Sequence, residues 1–236
     1  METANPPPAR KVVSRSPIRT VRLINLPALL DSPVECESSL ERDFVYRAVL
    51  CPSLTRLRHQ PFQFKLGAGR TYTPDFLVVE RDGRSKVVEV KPGSKVAGYR
   101  AVFDEVTYRL SARQIDFLVL SDEDIRRRKV HERAALILRY RKVSPPADEI
   151  ARVLSALADN GGALAFNALL YRARVQMHVV LHLIAQRTLV TSRDLPVQGA
   201  SLVSLAINLE IQHAVHLESW FGVAPWRAHS GSDPAV

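Results

Sequence analysis

The sequence predicts an α/β fold in which helices flank a mixed β-sheet, followed by a smaller unit of three helices and a hairpin. β-rich runs alternate with helical patterns between positions 32 and 143, which is typical of a sheet covered by helices. A Ser-Pro-Pro segment at positions 144–146 marks a linker, and the apolar spacing beyond it is mainly helical.

The composition of the 236-residue chain limits the class of protein. A hydrophobic content of 46% is ample for a packed core, and no run of about 18 apolar residues predicts a membrane span. The N-terminus has basic residues without the apolar stretch of a signal peptide, so a soluble, cytoplasmic protein is expected. Cys36 and Cys51 are too few for a disulfide framework or a four-thiolate zinc site, and they are predicted to be packing thiols.

Positive charge is concentrated in the first part of the chain. Residues 1–143 contain 27 Lys and Arg against 17 Asp and Glu, a net charge of +10, whereas residues 144–236 contain 6 against 7, a net charge of −1. Phosphate contacts with a basic surface supply most of the sequence-independent affinity for DNA. The first part is therefore predicted to bind nucleic acid, although many basic proteins have no such function.

Residues 1–30 are predicted to form a basic arm that contains several prolines. Three consecutive prolines at positions 6–8 favour extended backbone, and the basic residues that follow lack helical apolar spacing. The arm could lie on DNA or be disordered. Its basic residues are Arg10, Lys11, Arg15, Arg19 and Arg22.

The unit from 31 to 143 is predicted to begin with a helix and a strand. Apolar residues recur at intervals of three and four from Ser32, with Pro33 in the first turn, and the helix should end near Cys51. After Pro61, an alternation of apolar and polar residues predicts a strand at 62–66 with one buried face.

A β-hairpin should follow, because two β-rich runs at 72–80 and 85–90 flank an Asp-Gly pair that tolerates the positive φ of a tight turn. The rest of the unit is a helix at 99–114, a buried strand at 115–120 and a helix from about Asp122 that ends in the basic run 126–129. These elements together predict a mixed sheet with helices on its faces.

The unit from 144 to 236 is predicted to hold three helices, at 147–157, 163–173 and 175–186, and two strands, at 188–192 and 200–205. This order matches the winged-helix pattern, although a plain helical bundle would have similar hydrophobic spacing. Trp220, Phe221 and Trp226 near the C-terminus could anchor a partner, but packing onto this same unit is the commoner use of such residues and is expected here.

The strongest local signal for chemistry lies on the hairpin. The run TPDFLVV at 73–79 contains Asp75, and the run VVEVK at 87–91 contains Glu89 and Lys91, whose side chains leave the same face of a strand. Carboxylate oxygens suit a hard cation, so Mg²⁺ is the expected cofactor and Mn²⁺ should substitute for it. The lysine ammonium can orient the attacking water or stabilise the charge that grows on a phosphate.

A purely structural explanation exists for each of these residues. Asp75 could cap a turn, and Glu89 with Lys91 could be an exposed ion pair, which contributes at most about 1 kcal/mol. The neighbouring residues at 87, 88 and 90 are all valine, which predicts burial on both faces. Because charged groups inside a sheet are costly unless they serve a purpose, the functional interpretation is favoured.

A third carboxylate is expected on the preceding helix, and Glu41 is the candidate. Ser38 and Glu41 also have the spacing of a capping box, in which the glutamate only returns a hydrogen bond to the helix start. Glu35 and Glu37 are alternatives on the same segment. The spacing alone leaves this choice open.

These motifs resemble the PD-(D/E)XK nuclease superfamily, with Pro74-Asp75 as the first element and Glu89-Val90-Lys91 as the second. An ordered series of blocks over about the first 140 residues is similar, more specifically, to the TnsA-type nucleases of heteromeric transposons. The resemblance implies a restriction-endonuclease-like core and catalytic roles for Glu41, Asp75 and Lys91. The blocks are SSLERDF at 38–44, PSL at 52–54, RHQPF at 58–62, TPDFLV at 73–78 and EVKP at 89–92.

The resemblance also implies further ligands and partners. Some members carry Gln at the position of Glu89, which would then be a weaker ligand, and the carbonyl of Val90 can contribute to the metal site. Such enzymes nick the 5′ ends of a transposon, a TnsB-like DDE transposase cuts and joins the 3′ ends, and the C-terminal domain contacts a TnsC-like ATPase regulator. The catalytic residues are expected to be Glu41, Asp75, Glu89 and Lys91.

Two other functions remain as alternatives: a stand-alone restriction or repair nuclease of the same superfamily, and a DNA-binding scaffold that no longer cuts. Gln60, Lys95 and Arg100 are the predicted DNA contacts, and the basic run at 126–129 is either a phosphate-binding segment or a solvated helix face. Four histidines lie among apolar residues without a cysteine or carboxylate at ligand spacing, so no zinc site is expected: His178, His182, His213 and His216.

Overall fold

The structure is a computed structural model, which describes residues 22–26, 30, 32–195, 197–206 and 215–228. Most of the predicted arm, as well as His213, lies outside these residues. No helix in the described ranges is both long enough and apolar enough to cross a membrane.

A four-stranded mixed sheet forms the centre of the first part of the chain. Strands β3 (Leu54–His59), β6 (Phe76–Glu80) and β7 (Ser85–Val90) are antiparallel neighbours, and β8 (Asp116–Leu120) pairs with β7 in parallel. The parallel pairing requires a crossover, which the helix α3 (Arg100–Ser111) provides together with the short helix α2 (Gly93–Val96). The predicted α/β architecture is confirmed at this level.

Helices cover both faces of the sheet. On one face, Phe76 and Val88 pack with Phe44 of α1 (Ser39–Ala48) in a large apolar cluster, which also includes residues of α4 (Asp122–Arg126) and α5 (Val130–Arg139). On the other face, Val87 and Phe117 pack with α3. Val87 and Val88 are both fully buried, because each of the two faces is covered.

The first helix begins later than predicted. Ser38, not the region of Ser32 and Pro33, is its N-cap, and the side chain of Ser38 accepts a hydrogen bond from the N–H of Glu41. The preceding strand β2 (Val34–Cys36) pairs with β1 (Arg22–Ile24), and Leu26 and Leu30 are buried. These residues therefore belong to the folded core, whereas the sequence predicts that they lie in an extended arm. Val34 and Cys36 are buried on either side of Glu35, a period of two that the helical interpretation overlooked.

The predicted strand at 62–66 is also corrected. Only β4 (Phe64–Lys65) is a strand there, and it pairs with β5 (Thr71–Tyr72), which the prediction had merged into the hairpin. The longer strand β3 was not predicted. Its exposed arginines and the irregular register between Leu54 and Arg56 weaken the alternation that identifies a strand.

The hairpin itself is confirmed. Gly83 has a φ of +84° in the turn, and its N–H donates to the carbonyl of Glu80. The predicted helix from about Asp122 is also confirmed, because α4 ends at Arg126, the first residue of the basic run. Arg128 and Lys129 have positive φ values of 48° and 56°, so the chain kinks there and continues into α5.

The described residues between 147 and 205 form three helices and a three-stranded antiparallel sheet, in which β11 (Leu202–Leu205) lies between β10 (Leu189–Thr191) and β9 (Ala163–Ala165). Residues 163–165 form a strand and not the start of a helix as predicted, because they pair with β11. The elements are α6 (Ala147–Ala158), β9 (Ala163–Ala165), α7 (Phe166–Ala173), α8 (Met177–Ala185), β10 (Leu189–Thr191) and β11 (Leu202–Leu205).

Helix α8 packs against the first part of the chain. His182 Nδ1 lies 3.0 Å from the carbonyl oxygen of Tyr140, and Gln186 Nε2 donates to the carbonyl of Arg141 over 2.9 Å. Val179 and Ile184 belong to the same apolar cluster as Phe44. The two parts of the chain therefore share a continuous core across the linker.

The C-terminal segment 215–228 packs onto the first part of the chain, whereas the prediction had placed its aromatic residues on the second unit. Trp220, in α9 (Leu217–Phe221), donates from Nε1 to the carbonyl of Arg47 over 3.0 Å, and the ring of Phe221 lies 5.4 Å from that of Phe44. The backbone N–H of Trp226 donates a hydrogen bond to the carbonyl of Phe117. Sequence periodicity could not reveal contacts between residues so far apart.

Candidate metal centre and active site

Asp75 and Glu89 lie opposite each other at one end of the hairpin. Phe76 pairs with Val88 in the antiparallel register, which places the preceding Asp75 beside the following Glu89. Asp75 Oδ2 accepts a hydrogen bond from the N–H of Val90 over 2.8 Å, and its carbonyl accepts one from the N–H of Gln60, also over 2.8 Å. These hydrogen bonds from the N–H groups of Val90 and Gln60 hold Asp75 in place.

Glu89 is only 2% exposed, and both of its oxygens have partners. Lys91 Nζ lies 2.6 Å from Oε1, and the hydroxyl of Tyr72 donates to Oε2 over 2.5 Å. These bonds compensate for the burial of the carboxylate. Glu89 is therefore buried and Lys91 is half-buried, so the two do not form the exposed ion pair of the purely structural explanation.

Lys91 remains a cation at neutral pH. Burial lowers the pKa of its ammonium, but the negative charges of Glu89 and Asp75 outweigh burial, and the pKa lies above its usual value. The ammonium also lies 4.7 Å from the centre of the Tyr99 ring. A lysine held in this state can donate hydrogen bonds and stabilise negative charge, but it cannot serve as a general base.

Glu41 has the capping interactions that its spacing allowed. Its Oε1 accepts from the hydroxyl of Ser38 over 2.8 Å, and its Oε2 accepts from the N–H of Glu37 over 2.7 Å. Burial nevertheless raises the pKa of Glu41, since these hydrogen bonds only partly offset it and the charges of Glu37 and Glu89 raise the pKa further. Glu41 is thus both a capping residue and a member of the charged group around Glu89.

Repulsion among carboxylates marks this end of the hairpin. Burial raises the pKa of Asp75 well above its usual value, and the negative charges of Glu89 and Glu41 raise it further. The hydrogen bond from the N–H of Val90 and the positive charge of Lys91 lower this pKa, but by less. A bound cation would relieve this repulsion. The donors offered are carboxylate oxygens, which fit Mg²⁺ or Mn²⁺.

Cys36 does not disturb this donor set. It is fully buried, and burial raises the pKa of its thiol above the usual value, with further contributions from Glu41, Asp75 and Asp43. It remains a neutral thiol, as predicted for a packing cysteine.

The predicted DNA contacts lie in different surroundings. The Gln60 side chain donates from Nε2 to Glu37 Oε1 over 3.0 Å, and its backbone has a φ of 42°, so this residue belongs to the carboxylate group. Lys95 is exposed on α2. The Arg100 guanidinium lies 5.2 Å from the Trp226 ring.

Two residues of the site, Tyr72 and Tyr99, are not identified from the sequence as part of it. Tyr72 lies on β5 and not on the hairpin, so strand spacing gave no reason to place it at Glu89. Tyr99 precedes α3 and meets Lys91 only because the segment after β7 turns back.

A second group of acidic residues lies at the turn end of the same hairpin. Glu80, Asp82 and His216 offer ligand atoms within 4.8 Å of one another, and among the described residues they are the group of three that meets this distance. His216 was not expected near carboxylates, because its neighbours here are far away in sequence. The predicted ligands Glu41, Asp75 and Glu89 are more widely spread.

The turn-end group already has cationic and N–H partners. Lys86, which is fully buried, lies 3.2 Å from Glu80 Oε2 and also binds Glu218. Glu80 Oε1 accepts from the N–H of Leu217 over 2.7 Å, and Asp82 binds Arg84 over 2.6 Å. Because protein cations fill this group, it is a structural network and a poor place for a metal ion.

Neither a search against models of known protein families nor a search among curated proteins finds a match to this chain.

Proposed function

We propose that this protein is a Mg²⁺-dependent DNA endonuclease with a restriction-endonuclease-like core, and that it nicks the 5′ ends of a transposon during cut-and-paste transposition. The main observation behind the proposal is that Asp75, Glu89 and Lys91 lie together at one end of a hairpin in a mixed sheet. Glu41 is close enough for its charge to raise the pKa of Asp75. The order of helices and strands around this hairpin also supports it.

Asp75, Glu89 and Glu41 would hold the ion, and the peptide carbonyl of Val90 would offer a further oxygen. Mg²⁺–O distances are about 2.1 Å, so three carboxylates whose ligand atoms spread beyond 4.8 Å cannot all bind one ion directly, and at least one would bind it through a water. When bound, the ion supplies Lewis-acid polarisation of the scissile phosphodiester. Mn²⁺ is expected to substitute for Mg²⁺.

The residues of the chain supply the rest of the chemistry. Lys91, kept protonated by Glu89, donates hydrogen bonds to the attacked phosphoryl group, where negative charge grows. Tyr72 holds the second oxygen of Glu89 and thereby orients the carboxylate. The N–H of Val90 fixes the carboxylate of Asp75.

The second part of the chain is proposed to be a winged-helix-like domain that docks a protein. The order α6-β9-α7-α8-β10-β11, with β11 central in the sheet, supports the winged-helix assignment. In helix-turn-helix proteins the second helix of the motif reads the major groove. The corresponding α8 is buried against α5, which favours a protein partner such as a TnsC-like ATPase regulator over direct DNA reading.

Strand-specific nicking of transposon-end DNA tests the function, measured with and without the partner DDE transposase. Asp75→Ala should reduce metal-dependent nicking by about a thousandfold or more, since it removes a central ligand. The matched control is Asp82→Ala, at the other end of the same hairpin, which should cut at the wild-type rate. Undiminished nicking by Asp75→Ala would exclude this site, and cutting without any partner would favour a stand-alone nuclease.

A further inference from the structure

A buried carboxylate outside the metal site organises two arginines at the surface. Asp43 lies on α1 two residues after Glu41 and is only 2% exposed. Arg42 binds its Oδ1 from Nε over 2.9 Å, and Arg126 binds its Oδ2 from Nε over 2.8 Å. The Nη2 atom of Arg126 also donates to the hydroxyl of Ser39 over 3.0 Å.

This arginine fork, Arg42 and Arg126 on Asp43, has a net charge of +1. Its carboxylate side chain is 3% exposed, whereas the side chains of Arg42 and Arg126 are 26% and 38% exposed. Within the described ranges, the Nη1 atoms of both arginines have no hydrogen-bond partner. A guanidinium that is oriented in advance binds phosphate with little further loss of side-chain entropy.

The arginine fork continues into a basic cleft. Arg42 lines a cleft of about 520 Å³ between the segment after β1, α1 and the end of α5. Three further cations line this basic cleft, and none of the described residues that line it is Asp or Glu; the cations are Arg139, Arg141 and Lys142. Arg42 belongs to both the fork and the cleft, and it directly follows Glu41 on α1.

We propose that the arginine fork and the basic cleft bind the phosphates of the DNA strand on one side of the cleavage site. This inference rests on the proposed function, because it takes the metal site as the point of cleavage. It specifies the role of Arg126, which the sequence left open between phosphate binding and a solvated helix face. The occupant is the phosphodiester backbone, since only a chain of phosphates can engage the fork and the cleft together.

Fluorescence anisotropy with a labelled DNA duplex tests the inference, in the full-length Asp75→Asn background so that the DNA stays intact. Arg42→Gln and Arg126→Gln should each weaken binding about threefold or more at moderate salt, and each should reduce the slope of log K against log salt by about 1. The matched control is Arg109→Gln, whose side chain is 41% exposed on α3 and binds Glu105. It should leave both quantities unchanged.

Asp43→Asn separates orientation from net charge. The variant adds one positive charge, so a surface that acts only through its net charge would bind DNA more tightly. If Asp43 orients the arginines, binding weakens instead. Thermal melting of each variant establishes that the loss does not come from unfolding, and Arg42→Gln provides the result if Asp43→Asn does not fold.

Two results would overturn the inference. One is duplex binding by Arg42→Gln and Arg126→Gln that is indistinguishable from that of Arg109→Gln. The other is that the fork binds inorganic phosphate, measured by its competition with the labelled duplex, while the variants bind the duplex as tightly as the unsubstituted fork does. The fork would then be a site for small anions. In both cases Asp75-dependent nicking by the otherwise wild-type chain would leave the proposed function standing, whereas its absence would reject that function separately.

Discussion

The two ends of the β6–β7 hairpin carry similar residues but differ in how their charges are compensated. At the turn end, Glu80 is neutralised by Lys86 and by the N–H of Leu217. At the open end, Asp75 faces Glu89 and Glu41, and its pKa is raised well above the usual value by burial and by those charges. The ligand atoms lie closer together at the turn end, which would favour it as a candidate metal site. The carboxylates at the open end have fewer protein cations to balance their charge, so the open end is the better candidate.

The difference shows what distinguishes a ligand site from a structural network. Carboxylates that already hold protein cations contribute specificity to the fold, and the loss of one partner leaves the other unpaired. Carboxylates that repel one another are costly for the fold and become favourable only with a cation.

The largest effect on stability is expected from Glu80→Ala. The substitution removes one of the carboxylates that bind the buried ammonium of Lys86, although Glu218 remains, and it leaves the N–H of Leu217 without its acceptor. It should reduce the free energy of unfolding by about 3–5 kcal/mol. Denaturant unfolding measures the change. Glu105→Ala, which removes a partly exposed carboxylate from α3, should cost much less. Equal losses in the two variants would mean that the turn end is not a buried network.

Metal binding should be divided unequally between the two ends. In calorimetric titration with Mn²⁺, Asp75→Ala should weaken binding about a hundredfold or more, since a ligand is lost. Asp82→Asn and His216→Gln should bind Mn²⁺ as the wild type does. The opposite pattern would move the metal site to the turn end and leave the active site without support.

A smaller effect is expected from Tyr72→Phe. The variant keeps the ring, which is stacked with Phe64 at 6.4 Å, but loses the hydroxyl that binds Glu89. A hydrogen bond to a charged group contributes about 1.5–3 kcal/mol, so nicking should fall about tenfold or more. Tyr171→Phe removes an exposed hydroxyl elsewhere and should not affect nicking. A rate unchanged by Tyr72→Phe would show that Glu89 does not need this orientation.

The smallest effect concerns Asp75 and pH without metal. Because the pKa of folded Asp75 is raised, the folded state holds its proton over a pH range in which the unfolded state has lost it. Stability therefore falls as pH rises from the usual aspartate pKa to the raised value, and the cost is complete above it. In EDTA at neutral pH, Asp75→Asn should melt at a higher temperature than the wild type, and the difference should shrink in acid. A lower melting temperature at neutral pH would contradict the proposed repulsion.

The open end was predictable from sequence because all of its main residues belong to one local unit. The Asp-Gly turn set the register of the hairpin, and the register then placed Asp75 beside Glu89. Glu41 required the family resemblance, since a capping box has the same spacing. Its capping bonds and its coupling to Glu89 both exist in the structure.

The turn end could not be predicted, because it depends on contacts across most of the chain. His216 Nδ1 lies 3.1 Å from Glu80 Oε2, although 136 positions separate the two residues. Strand β3 was missed for a local reason: its arginines and its irregular register obscure the period of two. Short-range patterns identify elements, but they do not show which distant segment completes a core.

The docking of α9 has a consequence for the order of events during synthesis. The carbonyl of Arg47 receives the indole N–H of Trp220 from 173 residues further along the chain. At about 5–20 residues per second, a ribosome needs roughly ten seconds or more to make that distance. Throughout this time the apolar surface around Phe44 lacks Phe221, so the nascent first part of the chain is open to chaperones and to aggregation. A fragment that stops at residue 143 would retain every proposed catalytic residue and remain permanently in that unfinished state.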